Sequence, residues 1–337
     1  MNNQYWLCYH SKNRLCVFKS FNDKIYVIYL FNPIKGFISY DLIDNKITTT
    51  IKNVTSNFTS IRHFSDKKNK KDLILTTTMN NGIRLWNFDN WECILNFIQE
   101  VKMRYMSACY SACFLTDKNI NYIITSNFGY ESDFIQVYNF EGKKIKEISS
   151  SNKETIYIEN QYDTELNKNF IIANNQGHIT SYDFEENKLY NKYKDNELDS
   201  DGLHWFYNDI IYYNDKKITK LISSKTYDFY IRIWDFHKGN LLNKINFNNC
   251  EIFGICLWNK SNHDYLLACS KGLNLIDLEN KKIIGKFSGS TGLIIEKISD
   301  PNFGEYIISG CWDRIVLWEN KNLIFNVKKI ISDEHTI

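Results

Sequence analysis

An all-β chain made of seven copies of one unit is predicted by three features of the 337 residues: a recurring strand motif, its near-regular spacing, and β-branched and aromatic runs divided by polar turns. The motif reads apolar, polar, apolar, aromatic, Asp/Asn/Glu, apolar. With slippage it recurs as GFISYDL (36–42), GIRLWNF (82–88), FIQVYNF (134–140), HITSYDF (178–184), YIRIWDF (230–236), GLNLIDL (272–278) and RIVLWEN (314–320). Its aromatic position falls at Tyr40, Trp86, Tyr138, Tyr182, Trp234, Ile276 and Trp318, so successive markers are 46, 52, 44, 52, 42 and 42 residues apart. A period of about 40–45 residues with tolerated insertions is the mark of a four-stranded propeller blade. Length alone suggests about two domains of roughly 150 residues, but an internal repeat overrides that prior. The prediction is one domain over residues 1–337, an all-β seven-bladed propeller of four-stranded antiparallel blades, with its repeats at about 13–329.

Each unit has the same local grammar. A β-branched and aromatic run is followed by a polar turn and the marker strand, then by a second turn and another apolar run. In the second copy these runs are FTSIRHF (58–64), DLILTTT (72–78), GIRLWNF (82–88) and WECILNFI (91–98). In the sixth they are IFGICLW (252–258), YLLACS (265–270), GLNLIDL (272–278) and KKIIGKF (281–287). Both faces of such a sheet carry Ile, Leu, Phe and Trp, so a blade must be stacked between neighbours around an axis. Within the fifth copy, Arg232 is expected at a strand edge and Asp235 facing a turn, each with its polar head wet or paired. Two segments compete to complete the last blade, QYWLCY (4–9) and LIFNVKK (323–329), because an open ring leaves an exposed sheet edge.

Composition narrows the function classes. Lys and Arg total 41 against 39 acidic residues, a formal charge of +2, which lacks the basic footprint of a general nucleic-acid binder. Only six of the basic residues are Arg (Arg14, Arg62, Arg84, Arg104, Arg232 and Arg314), so planar bidentate grips on phosphate are scarce. No run of about 18 apolar residues occurs, and MNNQYWLCYH lacks the pattern of a secretory signal. The expectation is an intracellular, cytoplasmic protein without membrane insertion. The nine Cys match neither a CxxC redox pair nor a zinc knuckle, and are expected to be reduced, buried fillers.

At these residues the chain resembles the WD40-repeat β-propellers, named for the dipeptide that stands here as Trp234-Asp235 and, degenerate, as Trp86-Asn87, Trp318-Glu319, Tyr40-Asp41 and Tyr182-Asp183. The resemblance covers nearly the whole chain. It implies a Gly-His pair before the first strand and an Asp six residues before the Trp, which the fifth copy partly supplies with His204, preceded by Leu203, and Asp228. The seventh copy has Gly289-Ser290 in place of Gly-His and Asp313 only five residues before Trp318, and the sixth has Ile276-Asp277 for Trp-Asp. What the resemblance implies about function is partner binding on the face formed by turns between second and third strands and by those entering the first.

Signatures for phosphate, dinucleotide, acyl-transfer and zinc chemistry (GxxxxGK[ST], GxGxxG after a strand, GxSxG, HExxH) are missing. KDNELDSDG (194–202) starts like a calcium loop, but Asn208 stands where the closing carboxylate belongs. Neither a cofactor nor a metal is expected, and no catalysis. The ring face is expected to display Arg104, Tyr105, Phe128, Tyr130, Trp205, Tyr227, Phe229, Trp312 and Arg314, residue types enriched at interface hot spots. The two long periods put insertions near 99–107 or 127–133 and near 194–204, among these aromatics. The expected role is a non-catalytic scaffold or adaptor, monomeric within a complex, that binds a protein or peptide. The alternatives are a structural subunit of a larger assembly, or a propeller with an enzymatic or ligand site in the channel mouth.

Overall fold

A computed structural model describes residues 14–32, 36–51, 58–80, 82–98, 109–126, 134–150, 155–175, 178–195, 207–214, 218–225, 229–247, 250–289, 292–310 and 314–332. It is a seven-bladed β-propeller of four-stranded antiparallel sheets, each sheet contiguous in sequence. Blade 1 is β1 (Leu15–Lys19), β2 (Ile25–Asn32), β3 (Gly36–Asp41) and β4 (Lys46–Ile51), and blade 2 is β5 (Phe58–Asp66), β6 (Lys71–Thr78), β7 (Gly82–Asn87) and β8 (Cys93–Ile98). Blade 3 is β9 (Ala112–Asp117), β10 (Ile120–Thr125), β11 (Phe134–Asn139) and β12 (Lys144–Ser149). Blade 4 is β13 (Thr155–Asp163), β14 (Lys168–Asn175), β15 (His178–Asp183) and β16 (Lys188–Tyr193). Blade 5 is β17 (Tyr207–Asn214), β18 (Thr219–Lys225), β19 (Tyr230–Asp235) and β20 (Leu241–Asn246). Blade 6 is β21 (Gly254–Lys260), β22 (His263–Cys269), β23 (Leu273–Asp277) and β24 (Lys282–Phe287). Blade 7 is β25 (Ile294–Asp300), β26 (Gly304–Gly310), β27 (Arg314–Lys321) and β28 (Ile324–Ser332). The first strands lie innermost, with β1 against β5, β5 against β9, β9 against β13, β17 against β21, β21 against β25, and β25 back against β1.

Every marker residue lies on the third strand of its blade. Each third strand also shifts register against the fourth immediately before the marker, at Ser39/Tyr40, Leu85/Trp86, Val137/Tyr138, Ser181/Tyr182, Ile233/Trp234, Leu275/Ile276 and Leu317/Trp318. A bulge repeated at one position sharpens the local twist of every blade in the same way, which matches the sheets for stacking. In the three Trp blades the indole Nε1 donates to a hydroxyl on the second strand, 2.9 Å in each case: Thr76 for Trp86, Ser223 for Trp234 and Ser309 for Trp318. The following acid or amide accepts from the turn backbone. Asp41 Oδ1 takes Ile43 N at 2.8 Å, Asp183 Oδ1 takes Glu186 N at 2.9 Å and Asp235 Oδ1 takes His237 N at 3.0 Å. This is the turn-facing role expected of Asp235. Asn supplies left-handed backbone in these hairpins at Asn45, Asn119, Asn167, Asn187, Asn262 and Asn322, a conformation Asn tolerates better than other side-chain-bearing residues.

Seven apolar cores fill the seven gaps between blades, each drawing on two neighbouring sheets. The gap between blades 7 and 1 closes the ring. Leu15, Val27, Tyr29 and Tyr40 pack there against Ile294, Ile308, Leu317 and Ile331. Between the two competing terminal segments, the one at 323–329 supplies the outer strand of blade 7, as β28; residues 4–9 lie outside the described residues. Lys19 Nζ reaches Asp300 at 2.7 Å and Lys329 Nζ donates to Tyr40 Oη at 2.8 Å across the same gap. Gly310 is needed because a Cβ there would lie 2.6 Å from the Tyr29 ring.

Two predictions test this closure. Gly310→Val lowers unfolding stability by about 1–3 kcal/mol through overpacking against Tyr29, measured by urea denaturation. The acid limb of stability depends on carboxylates held low. Lys19, which outweighs burial, depresses Asp300, and hydrogen bonds from His63, Ser20 and Phe21 N depress Asp72 although burial opposes them. A carboxyl whose folded pKa lies below its unfolded value of about 3.9 stabilises the fold above that pH and loses the contribution as pH falls through the folded pKa. Melting temperature therefore falls as pH drops below about 4, and Asp300→Asn gives a lower plateau with a shallower acid limb.

Candidate functional site

The two ends of the blades differ. At one end, first-to-second and third-to-fourth strand turns are all short, from two residues (118–119, 261–262, 322–323) to five (20–24, 88–92, 236–240). At the other end, second-to-third strand connections reach eight residues at 126–133, and those from one blade to the next reach thirteen at 99–111 and 194–206. The insertions foreseen from the two long periods thus fall between strands, at one end of the ring. Length variation is thus confined to one edge of an otherwise regular frame.

Among the residues expected on that edge, Phe229 and Arg314 are described. Phe229 is half-buried just before β19, and its carbonyl accepts from Phe247 N at 2.8 Å. Arg314 is half-buried at the start of β27, in register with Ser332. They share the edge but belong to blades 5 and 7, with blade 6 between. The expected Arg104, Tyr105, Phe128, Tyr130, Trp205, Tyr227 and Trp312, and the motif residues His204 and Asp228, lie outside the described residues.

One expectation is corrected. Arg232 is not at a strand edge, because β19 pairs with both β18 and β20; of the two states expected for its head, wet or paired, the fully buried side chain takes the paired one. Its Nε donates to Asp195 Oδ2 at 2.8 Å, and Lys244 Nζ lies 2.8 Å from the same oxygen. Asp195 follows the last strand of blade 4, so the pair ties blade 4 to blade 5. Sequence reading missed it because the partner is far off in the chain and only stacking brings it over. Arg84, the counterpart in blade 2, stays half-buried and meets Asn96 on its own blade at 3.4 Å.

The channel wall has a layer that no motif marks. In each blade, tracing across the ladder from the residue before the marker leads to one position on the innermost strand: Cys16, Arg62, Cys113, Glu159, Ile211, Cys256 and Glu296. These seven form one level of the wall, with Arg62 between two thiols and the carboxylates Glu159 and Glu296 beyond them. The Arg62 guanidinium lies 5.4 Å from the centre of the Tyr157 ring of blade 4, and Tyr157 Oη donates to Glu159. Burial pushes the Cys16 and Cys113 thiols up to about 12, overriding the pull of Arg62 on both. Neither is a thiolate near neutral pH, so neither is an activated nucleophile.

A second cluster carries residue types used in acyl transfer, in the wrong order. Ser20 Oγ donates to Asp72 Oδ2 at 2.5 Å and His63 Nε2 meets Asp72 Oδ1 at 2.7 Å. A nucleophilic serine needs the imidazole as its direct partner, whereas here the carboxylate stands between them as a link from blade 1 to blade 2. Among the described residues, no group of three or more His, Cys, Asp and Glu is placed to hold a metal ion. No helix among them is long and apolar enough to cross a membrane. No protein-family model matches the chain, and no curated protein shows significant similarity to it.

The seven described cysteines are free, with Cys16, Cys109, Cys113 and Cys269 buried and Cys93 exposed. In the folded protein a maleimide is expected to label Cys93 fast, and Cys16 and Cys113 only after denaturant is added. Mass spectrometry of the labelled peptides reads both. Rapid native labelling of Cys16 and Cys113 would show the channel wall to be open and its thiols reactive.

Proposed function

We propose that this protein is a WD40-type propeller serving as a non-catalytic scaffold inside the cell, and that it binds a protein or peptide partner on the edge where its unequal connections meet. The observation that carries the reading is the contrast between the two ends of the blades: short, closely matched turns at one, insertions of up to thirteen residues at the other. Polar links between blades support it, since a frame that does not rearrange loses little ordering entropy on binding. Tyr193 Oη donates to the Phe236 carbonyl at 2.7 Å between blades 4 and 5, and Trp258 Nε1 to Glu305 at 2.8 Å between blades 6 and 7. Trp, Tyr and Arg expected on that edge would supply the anchors.

A second reading has its own observation. The outermost strands of blades 2 to 7 expose Ile98, Ile145, Leu189, Leu242, Ile284 and Ile324, which favours contacts along the blade sides, as in a subunit of a larger assembly.

The test is affinity capture from the native cell with the wild type and a Trp312→Ala, Arg314→Ala double variant, read by quantitative mass spectrometry. The proposal expects specific partners to be lost from the variant while its melting temperature stays within about 2 °C, as for substitutions outside a core. Retention of the same partners would move the interface to the blade sides, and Ile98→Glu with Ile145→Glu would then be the variant that loses them.

A further inference from the structure

The short-turn end of the ring, opposite the edge considered above, has one arc unlike the rest. The turn between β5 and β6 presents Lys67, Lys68, Lys70 and Lys71, all exposed and none with an ion-pair partner among the described residues. Lysines in several other turns of this end are held by local acids: Lys24 by Asp41 and Asp44, Lys46 by Asp44, Lys118 by Glu185, Lys168 by Asp183 and Glu186, Lys321 by Glu319. The one acid inside the lysine turn is spoken for, since Asp66 accepts from Asn69 N at 3.1 Å and Asn69 Nδ2 at 2.7 Å to shape the turn.

Beside the lysines stand two aromatic tips. Phe21, 44% exposed, donates its backbone N–H to Asp72 Oδ2 at 3.0 Å, one residue after Lys71. Phe303, 41% exposed, donates its N–H to Asp300 Oδ1 at 3.1 Å, and Asp300 in turn holds Lys19, two residues before Phe21. The links from Asp300 to Lys19 and from Ser20 and Phe21 to Asp72 fix three neighbouring turns, of blades 7, 1 and 2, as one row: Phe303, Phe21, then four lysines.

We infer that this arc is a second docking surface, for an acidic peptide segment carrying aromatic or large apolar side chains. The apolar tips would seat the anchors and the unpaired ammonium groups would face carboxylates. Charge complementarity selects the occupant. Lys heads are mobile point charges that suit carboxylates without a fixed geometry. A flat anionic bilayer would press equally on the exposed carboxylates of the same end, Asp89 and Glu92 of the same blade and Glu279 of blade 6, whereas a peptide meets only the arc. The surface is independent of the partner edge at the other end.

The experiment measures fluorescence anisotropy of a short fluorescein-labelled peptide of alternating Glu and Phe, titrated with the purified full chain. Wild type is expected to bind it, and to bind a version with Ala for Phe or with Lys for Glu more weakly. Lys67→Glu with Lys70→Glu should weaken binding about tenfold or more, in line with close charge pairs in recognition. Phe21→Ser should weaken it about fivefold by removing apolar burial. Lys281→Glu with Lys282→Glu, which reverses two exposed lysines in a blade 6 turn of the same end, should leave it within about twofold. Circular dichroism melts confirm that each variant is folded. Equal losses in the two double variants would reduce the effect to net charge and overturn the proposal. So would failure to bind the Glu-Phe peptide, with or without binding to single-stranded DNA or to vesicles of mixed phosphatidylcholine and phosphatidylserine.

Discussion

The whole structure depends on the burial of both faces of every sheet. A four-stranded blade with Ile, Leu, Phe or Trp on each side has no stable free form in water, and the seven interblade cores are the only apolar interiors that the described residues build. Stability is therefore a property of gaps between blades. The gap between blades 7 and 1 is the one that covalent order does not bring together, so its packing around Tyr29, Tyr40 and Leu317 carries the closure.

Polar contacts decide how the blades sit once stacked. Several are carboxylates or hydroxyls whose partners are about fifty residues away: Tyr212 Oη to Asp163 at 2.9 Å, Tyr213 to Asp264, Ser20 to Asp72. An apolar face tolerates sliding, while a buried carboxylate with a single set of donors does not. The same contacts explain why chemically suggestive groups are not poised for chemistry. Asp72 is occupied by Ser20, Phe21 N and His63, and burial keeps the Cys16 and Cys113 thiols protonated near neutral pH.

The fold was legible because it rests on periodicity. The marker residues fell on third strands throughout, and Asp235 in its turn, since alternation and turn chemistry are local. Even Ile276, which has neither the ring nor the indole N–H, occupies the marker position, because the bulge and the stacked faces define the site more than the side chain does. What the sequence hid are relations across gaps. Nothing near Arg232 advertises Asp195, and nothing marks Cys16, Arg62, Cys113, Glu159, Ile211, Cys256 and Glu296 as one level of a channel. The lysine turn carries no mark in the sequence, because its distinction lies in ammonium groups left without ion-pair partners among the described residues and in the two phenylalanines that other blades bring beside it.

By itself, then, the amino-acid order determined the number of blades, their four-strand composition, the place of each marker and the positions of the insertions. All of these follow from hydrophobic alternation and turn residues acting over a few positions. Only the tertiary structure decided which terminal segment completes the last blade, which polar groups are paired, and which charges remain free. Those outcomes depend on distances between residues remote in the chain, and they are set when seven sheets are forced to share their faces around one axis.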